Sequence, residues 1–253
     1  MTANGATPDI VLANFFIFSL LLITHIKFSR FFDMSEIRDT YDRIAPGWYN
    51  YRHHTRFRTE LDELARRWGQ GRLLNIGCAH GPDFVPFRGS FELHGIDISA
   101  RMLGMGLKYA EKFDLAVNLA AADAINLPYA DNSFDFAIAV AAYHHIEGKE
   151  ERPEAFRELY RVLKPGGEAF LTVWNRSQPR FWRRGKSVSV PWRTGEKTVY
   201  RHYYLFSYGE ITRLVKKAGF QVVKSAPEKA YRLPLKHFSR NICLLLKKTT
   251  ETK

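Results

Sequence analysis

Residues 71–84, GRLLNIGCAHGPDF, decide the reading of this chain. An apolar run, LLNIG, breaks into a turn punctuated by Gly77 and Gly81, with Cys78, Ala79 and His80 between them. A buried strand that ends in such a turn lets backbone approach a ligand closely at the edge of a parallel sheet. A lone pair of glycines is a weak signal, so the case rests on two carboxylates further along the chain. A second short strand, ELHGIDIS, brings Asp97 sixteen residues after Gly81, where a carboxylate can accept both hydroxyls of a ribose. Asp123 comes after the third strand candidate, AVNLAAADA, within reach of an adenine amino group. A dinucleotide would favour a denser glycine turn and a helix N-terminus free for pyrophosphate. Here Pro82 and Asp83 occupy that place, and Asp83 would repel phosphate. A nucleoside cofactor without phosphates is therefore expected.

The rest of the chain alternates strand-like and helix-like patterns. Helices are predicted at Thr59 to Trp68, Ala100 to Phe113, PEAFRELYRVLK and YGEITRLVKKAGF, the third from the spacing of Phe156, Leu159, Val162 and Leu163. PGG ends that third helix before the strand EAFLTVW, and SFDFAIAVAAYHHI is a strand whose far end carries aromatic and histidine residues. QVVKSAPE and NICLLLKK are the last strand candidates. Repeated units of this length imply an α/β fold, a mostly parallel sheet with helices on both faces. Residues 175–200 interrupt the pattern with Pro179, Gly185, Pro191, Gly195 and many basic side chains, and such a stretch is usually functional or disordered.

Composition sets the limits. With 253 residues and 45% apolar content the chain can bury one substantial core. Its two cysteines, Cys78 and Cys243, match no zinc spacing, so a reducing compartment such as the cytoplasm is expected, with neither a disulfide framework nor a protein-held metal. Net charge is +12 and uneven: residues 34–175 carry 17 basic and 20 acidic side chains, whereas 176–253 carry 19 basic and 4 acidic, net +15. That asymmetry suggests a polyanionic partner, nucleic acid before membrane, against the plain reading of solubility alone.

Ile10 to Ile26 contains no charged residue and could just span a thin bilayer as a helix. Met34 precedes SEIRDTYDRIAPGWY, which looks like an ordinary amphipathic start. Three readings of residues 1–33 stand: a start assigned too far upstream, a membrane anchor, or a docked helix. Residues 34–253 then form the main domain.

The segment LPYADNSFDFAIAVAAYHHI, continued by ELYRVLKPGGEAFLTVW, resembles the class I S-adenosylmethionine-dependent methyltransferases, whose Rossmann-like fold is a seven-stranded sheet with an antiparallel final hairpin. The resemblance covers residues 71–174 and implies that Gly77, Ala79 and Gly81 pass close to S-adenosyl-L-methionine, that Asp97 holds its ribose, and that Asp123 and Ala124 contact adenine. The family usually has an acid where Asn75 sits and glycine where Ala79 sits. Asn75 can still accept a hydrogen bond, and Ala79 is tolerable if its φ is negative.

A finer resemblance lies in YDRIAPGWYNYRHH, AVAAYHHI with VWNRSQ, and YRHYYLF, which are similar to the tRNA wobble-uridine carboxymethyl methyltransferases. These esterify a carboxylate, which needs orientation and a dry site rather than a general base. The resemblance points to Arg52 and Arg201 as ligands of the acceptor carboxylate or a neighbouring phosphate, and to His144 or Tyr203 as contacts of the modified base. Against each stands a structural role: a hydrogen-bonded His145 or His144, core packing for Tyr143, Trp174 and Tyr204, and a solvated charge for either arginine. Arg176, Arg180, Arg183, Arg184 and Arg193 are expected to bind tRNA backbone collectively. The resemblance also implies a small zinc-binding activator protein that adds a strand to the sheet edge, with AFLTV or edge residues as its seat. Two other functions remain open: a methyltransferase for a small molecule of the lipid quinone or sterol type, and a non-catalytic RNA-binding subunit.

Overall fold

The computed structural model describes residues 36–194 and 197–250; Ile10 to Ile26 lies outside the described residues. The chain divides into Met1–Asp39 and Thr40–Lys253. Of the first unit, residues 36–39 are described and are helical. No helix among the described residues is long and apolar enough to cross a membrane.

Helix α1 covers residues 36–51. In chain order the next elements are α2 (Arg58–Trp68), β1 (Gly71–Ile76), β2 (Phe91–Asp97), α3 (Ala100–Phe113), β3 (Val117–Ala121), β4 (Phe134–Val140), α4 (Glu151–Val162), β5 (Leu163–Trp174), β6 (Ser187–Thr194), β7 (Lys197–Tyr204), α5 (Tyr208–Lys217), β8 (Phe220–Pro227) and β9 (Asn241–Lys248). Seven strands form one sheet in the order β3-β2-β1-β4-β5-β9-β8. All pairings from β3 to β5 are parallel, and only β9 runs against its neighbours. This is the expected Rossmann-like methyltransferase fold, antiparallel final hairpin included.

The strands are apolar on both faces because both faces are covered. Along β1 and β9, Leu74, Leu244 and Leu246 enter one core, while Leu73, Cys243 and Leu245 enter the other. Helix α2 is tied to β5 through Glu168, whose carboxylate accepts from Arg67 Nε at 2.9 Å and from Trp68 Nε1 at 2.8 Å.

Three expectations need correction. PGG does not end α4 in a turn: Pro165, Gly166 and Gly167 lie inside β5, where the register with β4 shifts between Phe134 and Phe136. A Cβ on Gly167 would stand 2.8 Å from the Asp135 carbonyl oxygen, so the irregular pairing needs glycine there. AFLTV is no sheet edge, since β5 is paired on both sides by β4 and β9. The free edges of the sheet are β3 and β8. Finally, residues 175–200 hold regular structure: β6 pairs antiparallel with β7 from Ser187↔Tyr204 to Thr194↔Lys197. Val188, Val190 and Trp192 alternate with exposed Ser187, Ser189, Pro191 and Arg193, and Pro191 is tolerated because a two-stranded ribbon has only edge strands.

Candidate functional site

The strand order reverses between β1 and β4, and in open sheets of this kind the crevice beyond the carboxyl ends of such strands is where ligands bind. Both ends turn sharply there. Gly77 and Gly81 have φ of 68° and 89°, and Ala141, just after β4, has φ of 56°. A Cβ on Gly77 would lie 2.5 Å from Ala142 Cβ, so glycine is needed for space as well as for conformation. Thr172 Oγ1 accepts from Ala141 N at 2.9 Å and holds the second turn in place.

Ala79 departs from expectation. Its φ is +50°, in the region where an L side chain costs roughly 1–2 kcal/mol, so the missing glycine leaves strain in the turn. Its amide donates to Asp97 Oδ2 at 2.8 Å, and Ser99 N donates to Oδ1 at 2.9 Å. Burial dominates over these bonds and raises the Asp97 carboxyl to about 6. Asp83 is raised to about 6 by burial as well, although Thr55 hydrogen-bonds to it. The six-residue stretch Pro82–Phe87 is a 3-10 helix, which leaves no long helix dipole beside Gly81 for a pyrophosphate.

One feature of the crevice suits the polar end of a nucleoside cofactor such as S-adenosylmethionine. Asn75 is fully buried at the base of the first turn, and both its Oδ1 and Nδ2 lack a hydrogen-bond partner. A buried amide with neither end satisfied is costly and marks a place for a polar ligand group. Asp123 accepts from Ile125 N at 3.1 Å in the turn after β3, beside half-buried Ala124.

Across the crevice stand the acceptor-side candidates. The Arg52 guanidinium lies 4.6 Å from the Trp48 ring centre, and that of Arg201 lies 5.5 Å from Trp48, 5.0 Å from Trp192 and 5.4 Å from Tyr203. One tryptophan thus joins two arginines that are far apart in the chain. The Nε atoms of both arginines are buried without a partner, and among the described residues neither forms an ion pair. Arg52 is positioned from the cofactor side: His80 Nε2 donates to its carbonyl oxygen, and Tyr109 Oη donates to the His53 carbonyl at 2.6 Å. Arg201 is placed by the β6–β7 ribbon, where it faces Val190.

The histidines are held neutral. Nδ1 of His145 donates to the His202 carbonyl at 2.8 Å, so Nε2, 3.0 Å from Tyr41 Oη, must accept from it. Nδ1 of His144 accepts from Trp174 N at 3.2 Å. Burial lowers His144 well below the ordinary histidine range and His145 to about 3. Tyr203 stacks on Trp174 at 4.0 Å and on His144 at 5.0 Å, so in this state both candidate base contacts are buried wall residues. Tyr143 is core, donating to the Ala155 carbonyl, and Tyr204 donates to Glu210 at 2.6 Å. Arg176, Arg180, Arg183, Arg184 and Arg193 are all exposed.

Sequence reading missed Trp48, Trp192, Tyr41 and His80. Trp48 lay within a stretch already singled out, and His80 within the glycine turn; Trp192 was hidden in a stretch that looked irregular.

Two expectations arise for the ligand-free protein. Ala79→Gly relieves a positive φ and should stabilise it by up to about 1 kcal/mol in urea denaturation. Because burial raises Asp97, its contribution favours the fold below its unfolded pKa and is lost as pH rises through about 6. Asp97→Asn should therefore gain stability relative to the parent between pH 4 and 7, by an amount on the order of 2 kcal/mol.

Comparison with known proteins identifies the family. Residues 74–171 match the family model described as a methyltransferase domain. A tRNA (carboxymethyluridine(34)-5-O)-methyltransferase of Schizosaccharomyces pombe is 30% identical over 220 residues, covering 74% of this chain and 90% of that protein. Phosphoethanolamine N-methyltransferase 2 of Caenorhabditis elegans is 28% identical over 189 residues, 72% of this chain but 38% of that protein. Among solved structures, an S-adenosylmethionine-dependent methyltransferase from Clostridium acetobutylicum shares the fold with a TM-score of 0.64 and 14% identity, over 77% of this chain and 93% of that one. The glycine turn, the buried acid ending β2 and these matches together place the chain in the S-adenosylmethionine-dependent methyltransferase family.

Proposed function

We propose that this methyltransferase esterifies a carboxymethyl group on the wobble uridine of tRNA. The observation that carries the reading is the pair of arginines, Arg52 and Arg201, packed on one shared tryptophan ring with buried Nε atoms that have no partner. A guanidinium Nε buried without a partner is costly, so such a site is complementary to an anion that can accept from it. A carboxylate fits it in charge and in its two-oxygen geometry.

S-adenosyl-L-methionine supplies an electrophilic methyl group, and Asn75, Gly77, Ala79, Gly81, Asp97, Asp123 and Ala124 are the residues that would hold it. The remaining work is positioning. A carboxylate is already ionised at neutral pH, so no base is needed, which agrees with two histidines kept neutral by burial and committed to hydrogen bonds. Trp48, Trp192 and Tyr203 wall the arginines and keep water out. Esterification removes the acceptor's charge, so the cage holds substrate more tightly than product and favours release.

The exposed arginines at 176, 180, 183, 184 and 193 suit the polyanionic backbone of such an acceptor. The name of the fission-yeast relative supports the same choice. An amine acceptor of the phosphoethanolamine kind is disfavoured because its ammonium must lose a proton before it can be methylated, and the paired histidines at the site are buried, neutral and committed to hydrogen bonds rather than poised as bases. Methylation of phosphoethanolamine in place of tRNA by the purified protein would overturn the proposal.

Mass spectrometry of wobble nucleosides from cells with and without the gene tests the assignment. The esterified uridine should vanish on deletion and return with the parent gene. Arg52→Gln and Arg201→Gln should each lose roughly a hundredfold in kcat/KM while S-adenosylhomocysteine affinity is kept. Unchanged ester in the deleted strain would exclude the assignment. If ionised Asp97 accepts the ribose hydroxyls, S-adenosylhomocysteine affinity measured by calorimetry should be level above pH 7 and fall about tenfold per unit below pH 6, a dependence that Asp97→Asn removes.

A further inference from the structure

One large aromatic side chain in the basic part of the molecule is neither packed nor explained by the site. Trp182 is 72% exposed and touches Phe238 only edge-on, with ring centres 5.9 Å apart at 81°. It comes directly after the 3-10 turn Pro179–Phe181, on the segment that leaves the carboxyl end of β5, the same end of the sheet that carries the crevice.

The segment is held firmly. Asn175 is fully buried, and its Nδ2 donates to the carbonyls of His237 at 2.7 Å and Ser239 at 2.9 Å. Gln178 Nε2 donates to the Asn175 carbonyl at 2.9 Å. Inward, a stack of rings leads to the acceptor cage: Phe181 on Trp174 at 5.6 Å, Trp174 on Tyr203 at 4.0 Å, and Tyr203 against the Arg201 guanidinium at 5.4 Å. Exposure of this indole is therefore a property of an anchored turn.

Its surroundings choose the partner. Arg176, Arg180, Arg183 and Arg184 are exposed, and no acidic residue occurs between Arg176 and Gly195. Arginine and tryptophan are both common at protein interfaces, but four arginines with no acid among them suit a partner that is itself strongly anionic. A flat, exposed ring on a segment rich in exposed arginines matches a single-stranded polyanion whose bases present flat faces.

We propose that Trp182 stacks on an unpaired base of the RNA substrate next to the base delivered to the Arg52–Arg201 cage, an inference that rests on the tRNA reading above. The arginines neutralise the backbone, and the indole sets which nucleotides flank the modified one.

The test is binding of an anticodon stem-loop RNA that carries 5-carboxymethyluridine at the wobble position by the full chain across a range of salt concentrations, with Trp182→Ala and Trp182→Phe. Trp182→Ala should weaken binding roughly tenfold, and Trp182→Phe should retain most of the affinity. Stacking releases no counterions, so the slope of log affinity against log salt should match the parent's, and S-adenosylhomocysteine binding should be unchanged. Parent-like affinity in Trp182→Ala, with the RNA still methylated by the parent, would overturn the stacking contact and leave the tRNA reading intact. A flatter salt slope in Trp182→Ala would also overturn it, since the loss would then be electrostatic. Failure of the parent to bind or methylate the stem-loop would remove both readings.

Discussion

At the meeting of β1 and β4 the backbone runs so close that a single methyl group on Gly77 would come within 2.5 Å of Ala142. The candidate site is arranged around that contact. It brings the first turn against the stretch that carries His144 and His145, and so sets the candidate cofactor and acceptor residues on opposite banks of one crevice. Parallel strands make this possible because their carboxyl ends all face the same way and their connecting turns gather there.

Two turns alone would leave the crevice open. The far bank is assembled from α1, the 3-10 turn Tyr143–His145 and the β6–β7 ribbon, and a set of aromatic rings lies at their meeting point. Trp48 of α1 and Trp192 of β6 approach to 5.2 Å, and Arg201 of β7 lies over both. His80, a member of the first turn, grips the carbonyl of Arg52 at the end of α1. One part-buried hydrogen bond thereby links the glycine turn to the end of α1.

Electrostatics separates the two banks. On the cofactor side burial raises the acids Asp83 and Asp97 to about 6, and on the acceptor side it holds His144 and His145 neutral. The arginines keep the cationic role, since a guanidinium stays protonated where an imidazole cannot. The result is a cage with a fixed positive charge and no proton to give or take, suited to an acceptor that arrives ionised.

Much of this was legible in the order of residues. The alternation of apolar strands with amphipathic helices has a period that reports burial directly, so β1, β2 and α3 fall where their patterns place them. The glycine turn and Asp97 emerge from spacing along one βαβ unit, which chain connectivity holds together. What tertiary structure alone decided is whatever depends on distant segments meeting: the sharing of Trp48 by Arg52 and Arg201, the neutral tautomers of the paired histidines, and the positive φ of Ala79. The ribbon that carries Trp192 and Arg201 belongs to the same class, because Pro191 broke its local signal while pairing with β7 and packing over the crevice supplied its order. Sequence periodicity records which side of an element is buried; it does not record against what, and a binding cage is made of that second relation.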